Sequence, residues 1–305
     1  MNLPRDHHYN PRFAQSRWVG SDGMLCAMKL VHGGKLWAKR RPPAATGKRY
    51  DLYRIDGVPE ANSQDLEVEF MSPLDNDAAV VLDRLITGKP LTVEHRLTWA
   101  RYLLSLFYRH PEGVKAISTH MADMWREATD ALKVDFAEAQ ARSGLPIRTL
   151  AEETARRNPG AVGISTANMI VDIIHDSRAV PDIAALPFTV VDVSRSSVSL
   201  LTSDRPLVMP LGLDNPACYM ALPLSPYKLF VASKDKRYAK MLPNTGHTKV
   251  VKAMNLDVVR QAREYVWGSD DTQAAFVKKH IGSLPDRDIL SDQQRQEILA
   301  VARGA

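Results

Sequence analysis

The apolar pattern of this chain changes period three times, and that succession limits the folds open to it. Met24–Val31 and Lys35–Arg40 read as two strands joined by a Gly33-Gly34 turn, and Pro42-Pro43 ends the second. Tyr50–Ile55 is expected as one further short strand. From about residue 65 to about residue 180 the period becomes helical. Thr92 reads as an N-cap with Glu94 in the first turn, and Val93, Leu97, Ala100, Leu104 and Phe107 form one apolar stripe behind it. Pro111 stops that helix, and the next is expected from about Glu112 to Arg142, ending at Gly144. Shorter helices are expected at Ile147–Arg157 and Ser165–Arg178. Residues 187–234 turn β-like, with strands at Phe188–Val193, Ser197–Thr202, Cys218–Leu224 and Lys228–Ser233. Helix is expected again at about His247–Trp267, and a last one from Ser291, where Gln294 completes a capping box. Strands at both ends of a helical middle predict an α+β fold, with the amino-terminal hairpin and the later antiparallel strands joined in one sheet.

A chain of 305 residues has length for a sizeable core. The pattern divides it into one domain over residues 1–268, with its helical subregion at about 65–180, and a carboxy-terminal helical extension over 269–305. Hydrophobic residues at 45% and charged residues at 25% exclude a mainly disordered chain. The amino terminus has no apolar signal segment, and no apolar run is long enough to span a bilayer. The two cysteines, Cys26 and Cys218, give neither a zinc pattern nor a disulfide framework, so a cytoplasmic protein is expected.

The net charge of +5 is unevenly placed. Residues 1–60 hold 11 Lys+Arg against 5 Asp+Glu, and the other 245 residues hold 29 against 30. Lys39, Arg40, Arg41, Lys48 and Arg49 are the densest part of this excess. Such a patch attracts phosphates, whether on an anionic small molecule or a nucleic acid; its plain reading is a solvated basic loop.

His7-His8-Tyr9-Asn10-Pro11-Arg12-Phe13 packs two imidazoles, a guanidinium and two aromatics into seven residues ahead of the first core segment. Core packing does not require that mixture, and histidine is the side chain most easily poised for proton transfer near neutral pH. On an extended strand His8 shares a face with Arg12, which favours His8 over His7 as the group reaching a pocket. No His-x-x-His, Cys-x-x-Cys or His-Glu-x-x-His spacing accompanies the pair, so no metal site is expected. The sequence names no cofactor and leaves the oligomeric state open.

Ser203-Asp204-Arg205-Pro206 follows an apolar strand and reads equally as a turn or as a carboxylate aimed into a cleft from a strand end. Ser203 lacks the Gly-x-Ser-x-Gly setting of a nucleophile. Arg109 ends a long helix, where it complements the helix dipole or binds an anion bidentately. Asn255 caps or bridges within its helix.

Several of these segments together resemble one family, the domain-of-unknown-function family 4238. The paired-histidine stretch resembles its opening motif, and Gly34-Lys35-Leu36-Trp37 its second strand. Leu201-Thr202-Ser203-Asp204-Arg205-Pro206, Leu222-Pro223-Leu224-Ser225-Pro226 and Ala253-Met254-Asn255 resemble three later motifs, in the family's order. Where the family places a glutamine three residues ahead of an arginine, this chain has Leu106 ahead of Arg109. The resemblance spans residues 7 to 267 and implies a bacterial protein, with a setting in anti-phage defence.

Two functions follow as expectations. One is a hydrolase or nuclease-like enzyme acting on a phosphate-containing or nucleotide substrate. In it His8, with His7 beside it, acts as general acid or base, Asp204 orients it, and Arg12, Arg109, Ser203 and Asn255 bind substrate. The other is a non-catalytic binding or sensing module in which the same residues form a buried polar network.

Overall fold

The computed structural model describes residues 3–143, 149–235 and 245–285. Short strand β1 (Asp6–His8) pairs antiparallel with β4 (Lys48–Tyr50), placing His7 opposite Arg49. Between them come the short helix α1 (Arg12–Gln15) and the hairpin of β2 (Leu25–Val31) and β3 (Lys35–Arg41). Gly33 and Gly34 turn that hairpin with φ of 76° and 69°, a region that side chains with a Cβ rarely enter. Strand β4 occupies only the first residue of the expected Tyr50–Ile55 strand. Asp51 takes φ 53° and turns the chain away, so Leu52 and Tyr53 leave the sheet.

The helical body begins with a π-helical turn, Leu66–Met71, leading into α2 (Ser72–Thr87). It continues with α3 (Val93–Tyr108), α4 (Pro111–Ala131), α5 (Lys133–Ser143), α6 (Leu150–Arg157), α7 (Ala161–His175) and α8 (Ala179–Ala185). Thr92 caps α3 as expected: its hydroxyl accepts from the His95 amide while His95 Nδ1 accepts from the Thr92 amide. The single helix expected over Glu112–Arg142 is instead two. Helix α4 ends at its cap Leu132, which is 55% exposed, so no core contact carries the apolar stripe across the break. The helix expected at Ser165–Arg178 is α7, which starts earlier, at Ala161, and closes at His175, while α8 lies beyond the expected range.

The one expected sheet is three. The hairpin lies in a four-stranded sheet of order β3-β2-β9-β6, in which β6 (Thr202–Ser203) and β9 (Val266–Gly268) are the late strands. Strand β9 is an addition to the pattern, since the helix expected over His247–Trp267 stops as α9 (His247–Gln261). Ser197–Leu201, expected as strand, is irregular, and only Thr202–Ser203 pairs. The remaining strands, β5 (Phe188–Asp192), β7 (Tyr219–Ser225) and β8 (Lys228–Ser233), form their own sheet of order β5-β8-β7.

Strand alternation explains why that second sheet stands alone. Met220, Leu222, Leu224, Phe230 and Ala232 point into the helical body, while Ala221, Leu229 and Val231 point to Val250, Val251, Met254 and Val258 of α9. Both faces are therefore buried, and Phe230 meets Trp99 edge-on at 5.7 Å between ring centres. The hairpin sheet differs. Cys26, Met28, Leu36 and Ala38 pack beneath it on Val259 and on Val277 of α10 (Ala274–His280). On its upper face Leu25, Ala27 and Trp267 are covered by Tyr9 and Trp18, with Val19, Leu52 and Tyr265 packed alongside. The far end of that upper face stays open, at Trp37 and the side chains around it. Helix α10 thus packs under the hairpin, whereas the helix expected from Ser291 lies outside the described residues.

Candidate functional site

The amino-terminal motif runs inward. His7 is fully buried, its Nδ1 accepting from the Tyr53 amide at 2.8 Å and its Nε2 lying 3.1 Å from the Pro4 carbonyl. That geometry assigns the proton to Nε2, and the ring stacks on Tyr53 with an interplanar angle of 5°. The strand stops at His8 and Pro11 opens α1, so Arg12 is exposed on a helix and does not share an extended face with His8. His8 is half-buried. Burial, with the nearby charges of Arg12 and Lys48, lowers its pKa to about 4, so the ring is neutral at pH 7. Its Nε2 is buried and bonded to no described protein atom.

Arg109 is buried to 1% exposure and lies within the fold, where it binds another part of the same chain. Its guanidinium grips Asp75 with two bonds, of 2.6 and 2.9 Å, and donates to the His8 carbonyl at 3.1 Å. The Tyr53 hydroxyl donates to the Arg109 carbonyl at 2.7 Å, so His7, His8, Tyr53, Asp75 and Arg109 form one interlocked unit. Burial pushes the Asp75 carboxyl above its ordinary range while Arg109 pulls it back. Burial likewise opposes the Arg109 charge, but Asp75 outweighs it and the guanidinium stays protonated.

Asp204 is closed upon the main chain. Its carboxylate accepts from the amides of Arg263 (3.0 Å), Glu264 and Tyr265 (3.3 Å), and its own amide donates to the Tyr265 carbonyl. These bonds fix the turn between α9 and β9. Burial raises the Asp204 pKa to about 6 against the pull of the three amides. Among the described residues no hydrogen bond joins Asp204 to His8. Ser203 is buried, its hydroxyl accepting from the Arg205 amide and its carbonyl from the Asn10 side chain at 2.7 Å. Asn255 is likewise engaged: it accepts from the Leu201 amide and donates to the Ser199 carbonyl and to Gln273.

Segments distant in sequence therefore meet, with Asn10 as their hub. Gln15 donates to the Asn10 carbonyl, and the Asn10 amide donates to Gly47. Trp18 donates to the Leu200 carbonyl at 2.8 Å, and Trp267 to Thr46 at 2.9 Å. Gly47 has φ 65°, and a Cβ there would lie 2.5 Å from Gln15, so only glycine fits. Beside the hub, Asn10, Trp99, Thr202, Pro206 and Leu222–Leu224 line a cavity of about 10 Å³, room for roughly one water molecule. A nucleotide or sugar phosphate does not enter such a space.

Asp75 and Asn10 do not stand out in the sequence as site residues. Asp75 nonetheless carries a signal: it precedes Ala78 and Leu82 of the buried stripe of α2 by three and seven residues, where a charge needs a partner. Among the described residues no group of three or more His, Cys, Asp or Glu side chains is placed to hold a metal ion.

The outer face of the hairpin is built otherwise. Trp37 lies opposite Lys29 across β2 and β3, with Lys39 and Arg41 beside it on the same face. The cationic groups of Lys29, Lys39 and Arg41 stand 5.8, 5.9 and 5.6 Å from its ring centre. Lys29 also donates to the Tyr265 hydroxyl and reaches Glu264 at 3.6 Å, and Glu264 in turn takes Arg49 at 2.9 Å. Next along β4, the exposed Tyr50 lies under Arg5 at 4.8 Å. The dense basic stretch is thereby divided. Arg40 is turned to the other face and bound by Asp22, Lys48 is bound by Asp6, and Lys39 and Arg41 have no carboxylate partner among the described residues.

The protein thus has an α+β fold with a polar clasp buried inside it and a basic, aromatic face on its hairpin sheet. The chain belongs to the family described as Protein of unknown function (DUF4238), which matches residues 6–272. No curated protein and no solved structure matches it. No described helix is long and apolar enough to cross a membrane.

Proposed function

We propose that this protein is a non-catalytic nucleic-acid-binding module, in which the His/Asp/Arg cluster is a structural clasp and the hairpin face meets the phosphate backbone. The observation that carries this reading is the set of Lys29, Trp37, Lys39 and Arg41 on one face of the hairpin, joined through Glu264 to Arg49 of β4. Basic side chains interleaved with aromatic rings supply charge for phosphates and flat surfaces for bases. The hydrolase expected from the sequence relies on His8 as general base with the Asp204 carboxylate available to orient it. Both Asp204 oxygens already accept from main-chain amides, and the Asp75 oxygens already hold Arg109. Two free cysteines, both buried, accord with a reducing bacterial cytoplasm, and nucleic-acid binding accords with the anti-phage setting that the family resemblance implied.

The test is equilibrium binding of a short labelled oligonucleotide, followed by fluorescence anisotropy as salt is raised. Release of counterions from about three phosphates predicts a fall in affinity of roughly 10- to 50-fold between about 50 and about 200 mM salt. No binding at the lower salt, or an affinity indifferent to salt, overturns the reading.

A further inference from the structure

We propose that Trp37 is a stacking platform for an unpaired base, which makes the hairpin face selective for single strands; the inference rests on the nucleic-acid reading above. Three features of the hairpin point to it. First, β3 is the edge strand of its sheet, so a strand of nucleic acid can approach Trp37 from the side without meeting another β-strand. Second, Trp37 is only half-buried: it packs against the layer of Trp18, Leu25, Ala27 and Trp267 and leaves the rest of its ring in solvent. A tryptophan with a purely structural task is covered by apolar neighbours, as Trp18, Trp99 and Trp267 are here at 0–1% exposure. Trp37 adds to its apolar contacts three cations around the ring.

Third, those cations lie on the same face as the ring. Lys39 and Arg41 follow Trp37 at i+2 and i+4, which sets successive side chains about 7 Å apart along the strand. A base resting on the indole then has a flanking phosphate within reach of the Lys39 ammonium and the Arg41 guanidinium, both on the C-terminal side of Trp37 along β3, with the Lys29 ammonium across the pair on β2. Tyr265 offers no second platform on this sheet, because Trp267 stacks on it at 5.5 Å and Lys29 stands 4.8 Å from its ring. Tyr50, 65% exposed, belongs to the separate β1–β4 sheet, where Arg5 lies over its ring. In a duplex every base face is taken by its neighbours in the stack, so the ring has nothing to bind and only the cations contribute.

The experiment compares Trp37→Ala, Trp37→Phe and Tyr50→Ala with the wild-type chain. The probes are a single-stranded oligonucleotide, its duplex and heparin, a polyanion without bases. Trp37→Ala is expected to weaken single-strand binding about 5- to 100-fold, with duplex and heparin affinities and the salt slope kept. Trp37→Phe should retain most of the affinity, and Tyr50→Ala, outside the hairpin sheet, should change it little. Should Trp37→Ala lower the melting temperature, quenching decides instead: the single strand should quench wild-type emission more than that of Trp37→Phe. Equal weakening on all three probes, or no loss and no difference in quenching, overturns the stacking role while leaving the nucleic-acid reading intact. Absence of binding to both oligonucleotides by the wild type overturns both.

Discussion

The clasp and the hairpin face both draw on the first fifty residues, yet they treat charge in opposite ways. In the clasp a buried cation meets a largely enclosed anion at 2.6 Å, and the His8 carbonyl takes one further bond from the guanidinium. On the hairpin face cations stand near an aromatic ring and are left to solvent or to a partner. A conspicuous run of titratable residues is thus no guide to chemistry by itself. His7 and Arg109 serve cohesion because water is excluded around them, and an unpaired charge there would be costly. Lys39 and Arg41 need no partner to remain stable, so they are available for recognition.

The sharpest way to break this contrast is at Arg109. Arg109→Ala strands the carboxylate of Asp75 and is expected to destabilise the fold by about 3–5 kcal/mol, measured by denaturant unfolding. A loss under about 1 kcal/mol would mean that the pair is not structural. Asn10→Ala should follow with a loss of about 1–3 kcal/mol, because it leaves the buried Ser203 carbonyl without its donor.

A subtler test uses pH. Asp204 has its pKa raised to about 6 in the fold, above the ordinary value near 4, so the folded chain takes the proton first. Its contribution therefore makes the fold more stable as pH falls from about 6 to about 4. His8, lowered to about 4 from about 6.5, acts in reverse: the unfolded chain takes the proton first, and stability is lost over much the same interval. The two effects oppose each other. Asp204→Asn should leave the His8 effect uncovered, so its melting temperature drops more steeply than wild type between about pH 6.5 and about pH 4; His8→Gln should drop less steeply. Parallel profiles for all three proteins would show that neither group is held as described.

The smallest effect on stability belongs to the hairpin face. Lys39→Ala with Arg41→Ala should change unfolding by no more than about 0.5 kcal/mol each while flattening the salt dependence of oligonucleotide binding by about 1.4 in log–log slope. A stability loss comparable to that of Asn10→Ala would erase the distinction between the two regions.

Local signals were legible where local physics decides. The hairpin around Gly33-Gly34 is the clearest case, since alternation and two glycines specify it without help from elsewhere. The cap at Thr92 is another, settled within one turn of its helix. Strand β9 was hidden because Val266–Gly268 pairs with β2 from the far side of the sequence, and three residues carry no period of their own. The break at Leu132 was hidden because an apolar residue continues the stripe on paper while facing solvent in the fold. For the site, residue types were legible and roles were not. Whether Asp204 faces a substrate or a turn depends on where the amides of residues 263–265 lie, and no spacing in the chain encodes that.

The clasp also orders events during synthesis. Asn10 waits for Ser203, which leaves the ribosome 193 positions later, and Thr46 waits 221 positions for Trp267. Until then the nascent amino-terminal segment carries sticky, unmatched surface, the condition in which chaperones engage and premature association threatens. Only once Trp267 has been translated and released can the opening residues find their place.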